Sequence, residues 1–369
     1  MRAFPADHVV DESARGAANL LTRCVGAKRG ESLLLVVEPA GSTYYDAAVA
    51  PMIAAEATRL GAELRVLEAA PAAGPESIPG SLLEAIAAAD HTVFLSRIGD
   101  QLRFIELPGT GSKSMVYTLG GEHLSGGFAA ARHDIMEQIR SALMERIAES
   151  RTYSLSCPKG TELEMRIDGD ELSLLRTASG FTIRNFPVMI IPPIPASGMN
   201  GRLVLSHALT STGIHEYPDS VVPLASPVTL TLESGHILAV DGEATVVERV
   251  LAQMERVDRI FSGKGRRVGS WHAGINPFTF FAGRALDDID RWNGIAFGSP
   301  RYAHFHLCGA LPGDICGQVF DPTIRFDDEP LWQDGLLTAL RTPRLAELAA
   351  QLGVTADSLF SRREIGVPL

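Results

Sequence analysis

The chain has 369 residues, with 33 Lys+Arg against 44 Asp+Glu, a formal net charge of −11. Hydrophobic residues make up 46% and charged residues 21%, which fits roughly two globular domains and excludes wholesale disorder. The acidic balance argues against a nucleic-acid surface, and no run of 18 apolar residues reads as a membrane span. Four cysteines (Cys24, Cys157, Cys308, Cys316) do not make a disulfide scaffold in a chain of this length. Residues 1–15 carry Asp7, Asp11 and Glu12 and no apolar signal core, so a reducing cytoplasm is the expected compartment and a small molecule the expected partner.

In chain order, the first third alternates helix and strand. Ala17, Leu20, Leu21, Cys24 and Val25 lie at helical spacing within 11–26, and Lys28, Arg29 and Gly30 act as stop signals. The apolar run 32–37 reads as a strand buried on both faces. A helix over 45–60 ending at Gly61, a strand over 63–67, a helix over 82–89 and a strand over 91–95 follow. This β-α-β-α-β order predicts a parallel sheet, with a further helix over 132–149 leading out of the domain. After Arg151 the texture changes. Short strands over 153–157, 163–167, 203–205, 228–232 and 236–240 are separated by Lys159-Gly160, Asp168-Gly169, Asn200-Gly201, Ser234-Gly235 and Asp241-Gly242, which predicts antiparallel pairing. A helix spans 244–260. The Pro-rich stretch 187–195 reads as a wall or linker near a cleft, not a central strand. The expected organisation is an α/β domain with a parallel sheet over 1–150, an α+β domain with a largely antiparallel sheet over 151–326 that carries the active site, and a C-terminal extension over 327–369 with helices at 332–340 and 345–352.

The Gly-rich phosphate loops, HExxH, CxxC and the Gly-x-Ser-x-Gly elbow are all absent. The densest chemistry is Tyr302-Ala-His304-Phe-His306-Leu-Cys308. On a strand, His304, His306 and Cys308 project from one face, with Cys316 close enough to return. Two same-face imidazoles can start a metal site, or simply form a polar face under a loop. Upstream, His272 sits among the small residues of Gly269–Gly274. Downstream, Asp321 is a lone acid in an apolar stretch and needs a cation, a metal or hydrogen-bond donors. His272, His304 or His306, and Asp321 would make the two-imidazole, one-carboxylate set of Fe(II) oxygen chemistry. Zinc, or no metal at all, stays open. Arg97, beyond the third strand, would anchor a substrate anion in a cleft, or pair at the surface. His207 is an acid/base candidate in a Thr/Ser-rich loop.

Several segments together resemble the aminopeptidase T metallopeptidases. They are Val25-Gly-Ala-Lys28-Arg-Gly30-Glu31, Ala54–Ala62, Cys157-Pro-Lys-Gly160-Thr161-Glu-Leu163, Asn200-Gly201-Arg-Leu-Val204 and Gly274-Ile-Asn276-Pro277. That superfamily also looks to include 2,5-dihydroxypyridine 5,6-dioxygenase, an Fe(II) enzyme. The resemblance implies two domains, a metal in the cleft of the C-terminal domain, and a homo-oligomer. It does not carry over the usual ligands. Met189 stands where the family has a ligand Glu, Ser270 where it has Glu or His, and of the final His-x-Asp only Asp321 remains in Val319-Phe320-Asp321. Methionine and valine cannot replace carboxylate and imidazole at a hard or borderline metal. The leading expectation is therefore a ring-opening Fe(II) dioxygenase with a rebuilt site. The alternatives are a hydrolase, with or without metal, and a small-molecule binding protein.

Overall fold

A computed structural model describes residues 14–103, 105–169, 171, 182–263, 265–310 and 312–367. The acidic N-terminus and the start of the first expected helix lie outside these residues. Among the described residues the strands form three sheets.

The first sheet is parallel and runs β2-β1-β3-β4-β7, with β1 Ser32–Val37, β2 Glu63–Glu68, β3 His91–Leu95, β4 Ser112–Val116 and β7 Arg184–Phe186. Strand β1, interior to the sheet between β2 and β3, is buried from Leu33 to Val36, as an uninterrupted apolar strand between helical layers should be. The helix Val49–Leu60 buries Val49, Ile53 and Ala57 and stops at Gly61, whose left-handed φ of 78° favours glycine. It starts four residues later than the sequence suggests. Two strands of this sheet escape the sequence reading. Strand β4 carries Lys113 and two serines within five residues, and β7 is only three residues long. Because β7 returns to the first sheet from beyond residue 151, the chain crosses between the two halves more than once.

The helix His133–Ala148 leads to the second half, which holds two largely antiparallel sheets. One runs β13-β12-β9-β6-β5-β17-β18 and comprises β5 Thr152–Ser156, β6 Glu162–Arg166, β9 Asn200–Leu205, β12 Val228–Glu233, β13 His236–Asp241, β17 Thr323–Phe326 and β18 Glu329–Trp332. The other runs β11-β10-β16-β15-β14-β8 and comprises β8 Ile194–Pro195, β10 Ala208–Ser211, β11 Val222–Pro223, β14 Val268–Ala273, β15 Tyr302–Leu307 and β16 Ile315–Phe320. They pack through aromatic side chains. Trp271 of β14 lies 5.4 Å from Tyr153 of β5 and 6.3 Å from Phe326 of β17, ring centre to ring centre. The helix Ala244–Ile260 buries Val246, Val250, Met254 and Val257, one stripe at helical spacing.

Two sequence expectations change here. Asn200-Gly201 is not a hairpin turn. Both residues lie in β9, where Gly201 pairs with Leu163 and a Cβ would overlap the Glu162 carbonyl. The expected helix over 332–340 is instead the end of β18, a turn and a short 3-10 turn over Thr338–Arg341. The next helix, Pro343–Ala350, forms close to where the sequence puts it.

Candidate metal centre

The polar side chains of β14, β15 and β16 converge by register. Ser270 and His272 pair with His306 and His304, and His304 and His306 pair in turn with Gln318 and Cys316. Directly opposite residues on antiparallel strands project from the same face. The opposite face of β15 carries Ala303, Phe305 and Leu307 into the core. One face of this sheet is therefore apolar and packed, and the other is a polar floor.

On that floor three imidazoles meet. The ring centres of His272 and His304 are 4.8 Å apart, those of His272 and His306 4.9 Å, and those of His304 and His306 5.2 Å. One nitrogen from each lies within 4.8 Å of the others, and all three residues are buried. Second contacts fix two of the rings. His272 donates Nδ1–H to the Ile191 carbonyl at 2.8 Å, which leaves its Nε2 lone pair available. His306 Nδ1 lies 3.2 Å from Ser270 Oγ. His304 Nδ1 is buried with no partner among the described residues. Burial pushes the His272 pKa down to about 4, and it pushes His304 and His306 well below the ordinary imidazole range, helped by the neighbouring rings. All three are neutral near pH 7. Neutral, desolvated imidazoles are the protonation state that a divalent metal requires. Three such donors suit zinc, iron, copper or nickel, and they match the donor set of mononuclear zinc sites that keep an open position.

The histidines form part of the lining of a cavity of about 130 Å³. Across from them stand residues of the first half, among them Tyr44, Arg97, Arg103 and Tyr117. Phe297 meets His304 edge-on at 6.1 Å and completes the wall. Ile190, from the Pro-rich stretch, also lines the cavity.

The structure places the sequence candidates differently from one another. His272, His304 and His306 come together. Arg97 reaches the same cavity, but its Nε donates to Glu38 at 2.9 Å, and it lies over the Tyr44 ring with Glu216 at 3.9 Å. Asp321 does not join the imidazoles. Both its oxygens accept from Arg301, at 2.8 and 3.1 Å, and both side chains are buried. A buried carboxylate held in a bidentate guanidinium fork is already neutralised, so the expected two-histidine, one-carboxylate set is replaced by three histidines. Cys308 also leaves the face, because β15 ends at Leu307 and Cys308 adopts φ 51° and packs in the core. Cys316 does return to the floor, but burial raises its thiol pKa to about 11. His207 does not line the cavity. It packs against Trp292 and Phe320, with its pKa lowered by burial. Met189 is buried beside Gly298.

Several contributors were missed. Ser270 and Gln318 follow from the alternation of β14 and β16 once the strands are paired. The Ile191 carbonyl carries no side-chain signal. Arg103 pairs with Asp100 at 3.0 Å, an i,i+3 contact that a helix over 98–101 would have suggested.

No protein-family model matches the chain, and no curated protein sequence matches it significantly. Solved structures do. The fold is shared with 2,5-dihydroxypyridine dioxygenase from Pseudomonas putida KT2440, at a TM-score of 0.56 and 15% identity, covering 88% of this chain and 96% of that one. A wild-type AmpT from Thermus thermophilus aligns at a TM-score of 0.49 and 13% identity, over 88% of this chain and 98% of the other. The architecture expected from the order and spacing of the sequence elements, a parallel α/β half and a largely antiparallel α+β half, is the architecture found. Among the described residues no helix is long and apolar enough to cross a membrane.

Proposed function

We propose that this chain is a mononuclear metalloenzyme whose metal is held by His272, His304 and His306, and that it opens the ring of a small polar, heteroaromatic substrate with O₂. The convergence of three buried imidazoles within 4.8 Å carries the reading. The likeness of fold to a dioxygenase supports the choice of reaction. Iron bound there would offer open positions for substrate and O₂ and the redox chemistry to join them.

The chain's own residues do the rest. The Ile191 carbonyl and Ser270 hold two imidazoles in fixed orientations. Phe297 and Tyr44 supply flat apolar faces against which a ring can lie. Arg97, its Nε held by Glu38, would offer its remaining N–H donors to an anionic group of the substrate. The Tyr302–His304–His306 face is closed to bulk water, which strengthens every charge interaction within it. In this reading the protein is a cytoplasmic homo-oligomer. A hydrolase is the second reading, favoured by the donor set itself, since three histidines also hold catalytic zinc.

Elemental analysis of anaerobically purified protein tests the proposal. About one iron per chain is expected. His304→Ala and His306→Ala should each lower it to background while the fold persists by circular dichroism. Turnover of hydroxylated pyridines should consume O₂. Zinc in place of iron, with turnover that uses no O₂, would transfer the case to the hydrolase. Full metal content in both variants would remove the centre itself.

A further inference from the structure

A second cavity, of about 370 Å³, lies behind the segment that lines the first. Ile190 borders both, and the next residue, Ile191, holds His272 through its carbonyl. The new cavity is unusual for a chain of net charge −11, because its lining is rich in guanidinium. Arg23, Arg140 and Arg184 face it together with Asp134 and Glu137. The acids are already engaged. Asp134 is shared between Arg23 at 3.4 Å and Arg132 at 2.5 Å, and Glu137 accepts from Arg140 at 2.6 Å. Arg184 has no carboxylate partner among the described residues, and only its Nη1 is engaged, donating to the Cys24 carbonyl at 2.5 Å. Two further polar groups await a partner. His133 is 4% exposed and Asn185 6% exposed, both line the cavity, and His133 Nδ1 and Asn185 Oδ1 are buried with no hydrogen bond among the described residues. Buried polar atoms are nearly always paired, so two orphans lining one cavity, with the exposed Arg184 guanidinium at its edge, mark a place built for a ligand.

We propose that this cavity binds a small oxyanion, a phosphate or carboxylate group, with Arg184 as its principal anchor and His133 and Asn185 completing its hydrogen bonds. The planar fork of Arg184 matches either oxyanion. The Asn185 amide can turn to present its NH₂ or its carbonyl, so it can serve a bare oxygen or a hydroxyl of the ligand. The bound group would touch Asn185 and Ile190, in the segment whose next carbonyl orients His272.

Calorimetric titration of the full chain with inorganic phosphate, and separately with succinate, tests this. Saturable one-to-one binding of at least one probe is expected, and which probe binds identifies the class of oxyanion. Arg184→Met should weaken it at least tenfold, by analogy with other charge-assisted contacts. Arg184→Lys, which keeps the charge and loses the fork, should weaken it less and guards against a folding defect in the first variant. His304→Ala should leave binding unchanged, which separates this site from the metal centre. No saturable binding of either probe would overturn the proposal. So would binding that survives Arg184→Met or is lost in His304→Ala.

Discussion

Ser270 occupies a position where a protein ligand was expected from the resemblance, and a hydroxyl is a poor metal ligand. The structure gives it a different task, since its Oγ lies 3.2 Å from His306 Nδ1 and so sets the ring's orientation. Groups that orient a ligand imidazole typically change metal affinity by about 10–100-fold when removed. Ser270→Ala should therefore keep the fold and weaken metal binding by a factor in that range, measured by competition with a chromogenic chelator. Asp321 is the converse case. It is the acid that looked like a ligand and is a structural ion pair. Removing one partner of a buried pair leaves the other charge uncompensated, at a cost of about 3–5 kcal/mol. Asp321→Asn should lower unfolding free energy by roughly that amount, because Arg301 then lies buried against a neutral amide, yet leave metal content per folded chain unchanged. Loss of metal with no loss of stability would return Asp321 to the site. The two histidines of β15 were legible because a strand's period of two fixes which side chains share a face. The partner of Asp321 was not, since Arg301 lies twenty residues upstream and only the β15–β16 pairing brings the two together.

Single elements were legible where their apolar pattern was strong. Strand β1 and the helix Ala244–Ile260 sit where periodicity puts them, because each buries a face that the sequence displays directly. Strand β4 was missed because a lysine and serines dilute its pattern. Its Lys113 ammonium is nonetheless accommodated by donating to the carbonyls of Gly109 and Gly111, both at 2.9 Å. The Asn-Gly pair at 200–201 misled because local turn chemistry yielded to the sheet. Gly201 lets β9 approach β6 at φ 120°, in the region that L side chains avoid. Gly201→Ala should therefore destabilise the protein by about 1–3 kcal/mol, the usual range for enforced backbone strain plus overlap. A shift of the urea midpoint at unchanged slope would show it; no shift would mean that β6 and β9 separate without penalty.

At the scale of the whole molecule, buried imidazoles tie stability to pH. His133, between the first sheet and the helix it begins, has its pKa pushed by burial to about 4, below the ordinary 6.5. The unfolded chain therefore takes up this proton at higher pH than the native one. The contribution is complete above the unfolded value and is lost as pH falls toward 4. Between pH 7 and pH 5 this group alone should withdraw about 1–2 kcal/mol. His133→Gln should flatten that part of the curve in denaturant titrations at the two pH values. An unchanged slope would mean that His133 is already charged in the native protein.

The two-part architecture and the pair of same-face histidines on one strand can be read from the amino acids alone, because both follow from short-range periodicity in apolar and polar residues. For Arg97 the sequence left two readings open, a cleft beyond the carboxyl end of a parallel strand or an ion pair, and the side chain both lines the cavity and pairs with Glu38. That His272 joins the two imidazoles of β15 while Asp321 stays apart emerges from the folded chain. Those outcomes depend on which strands are neighbours, on a main-chain carbonyl at Ile191 and on a guanidinium at Arg301. Such pairings join residues far apart in the chain, and no local pattern records them.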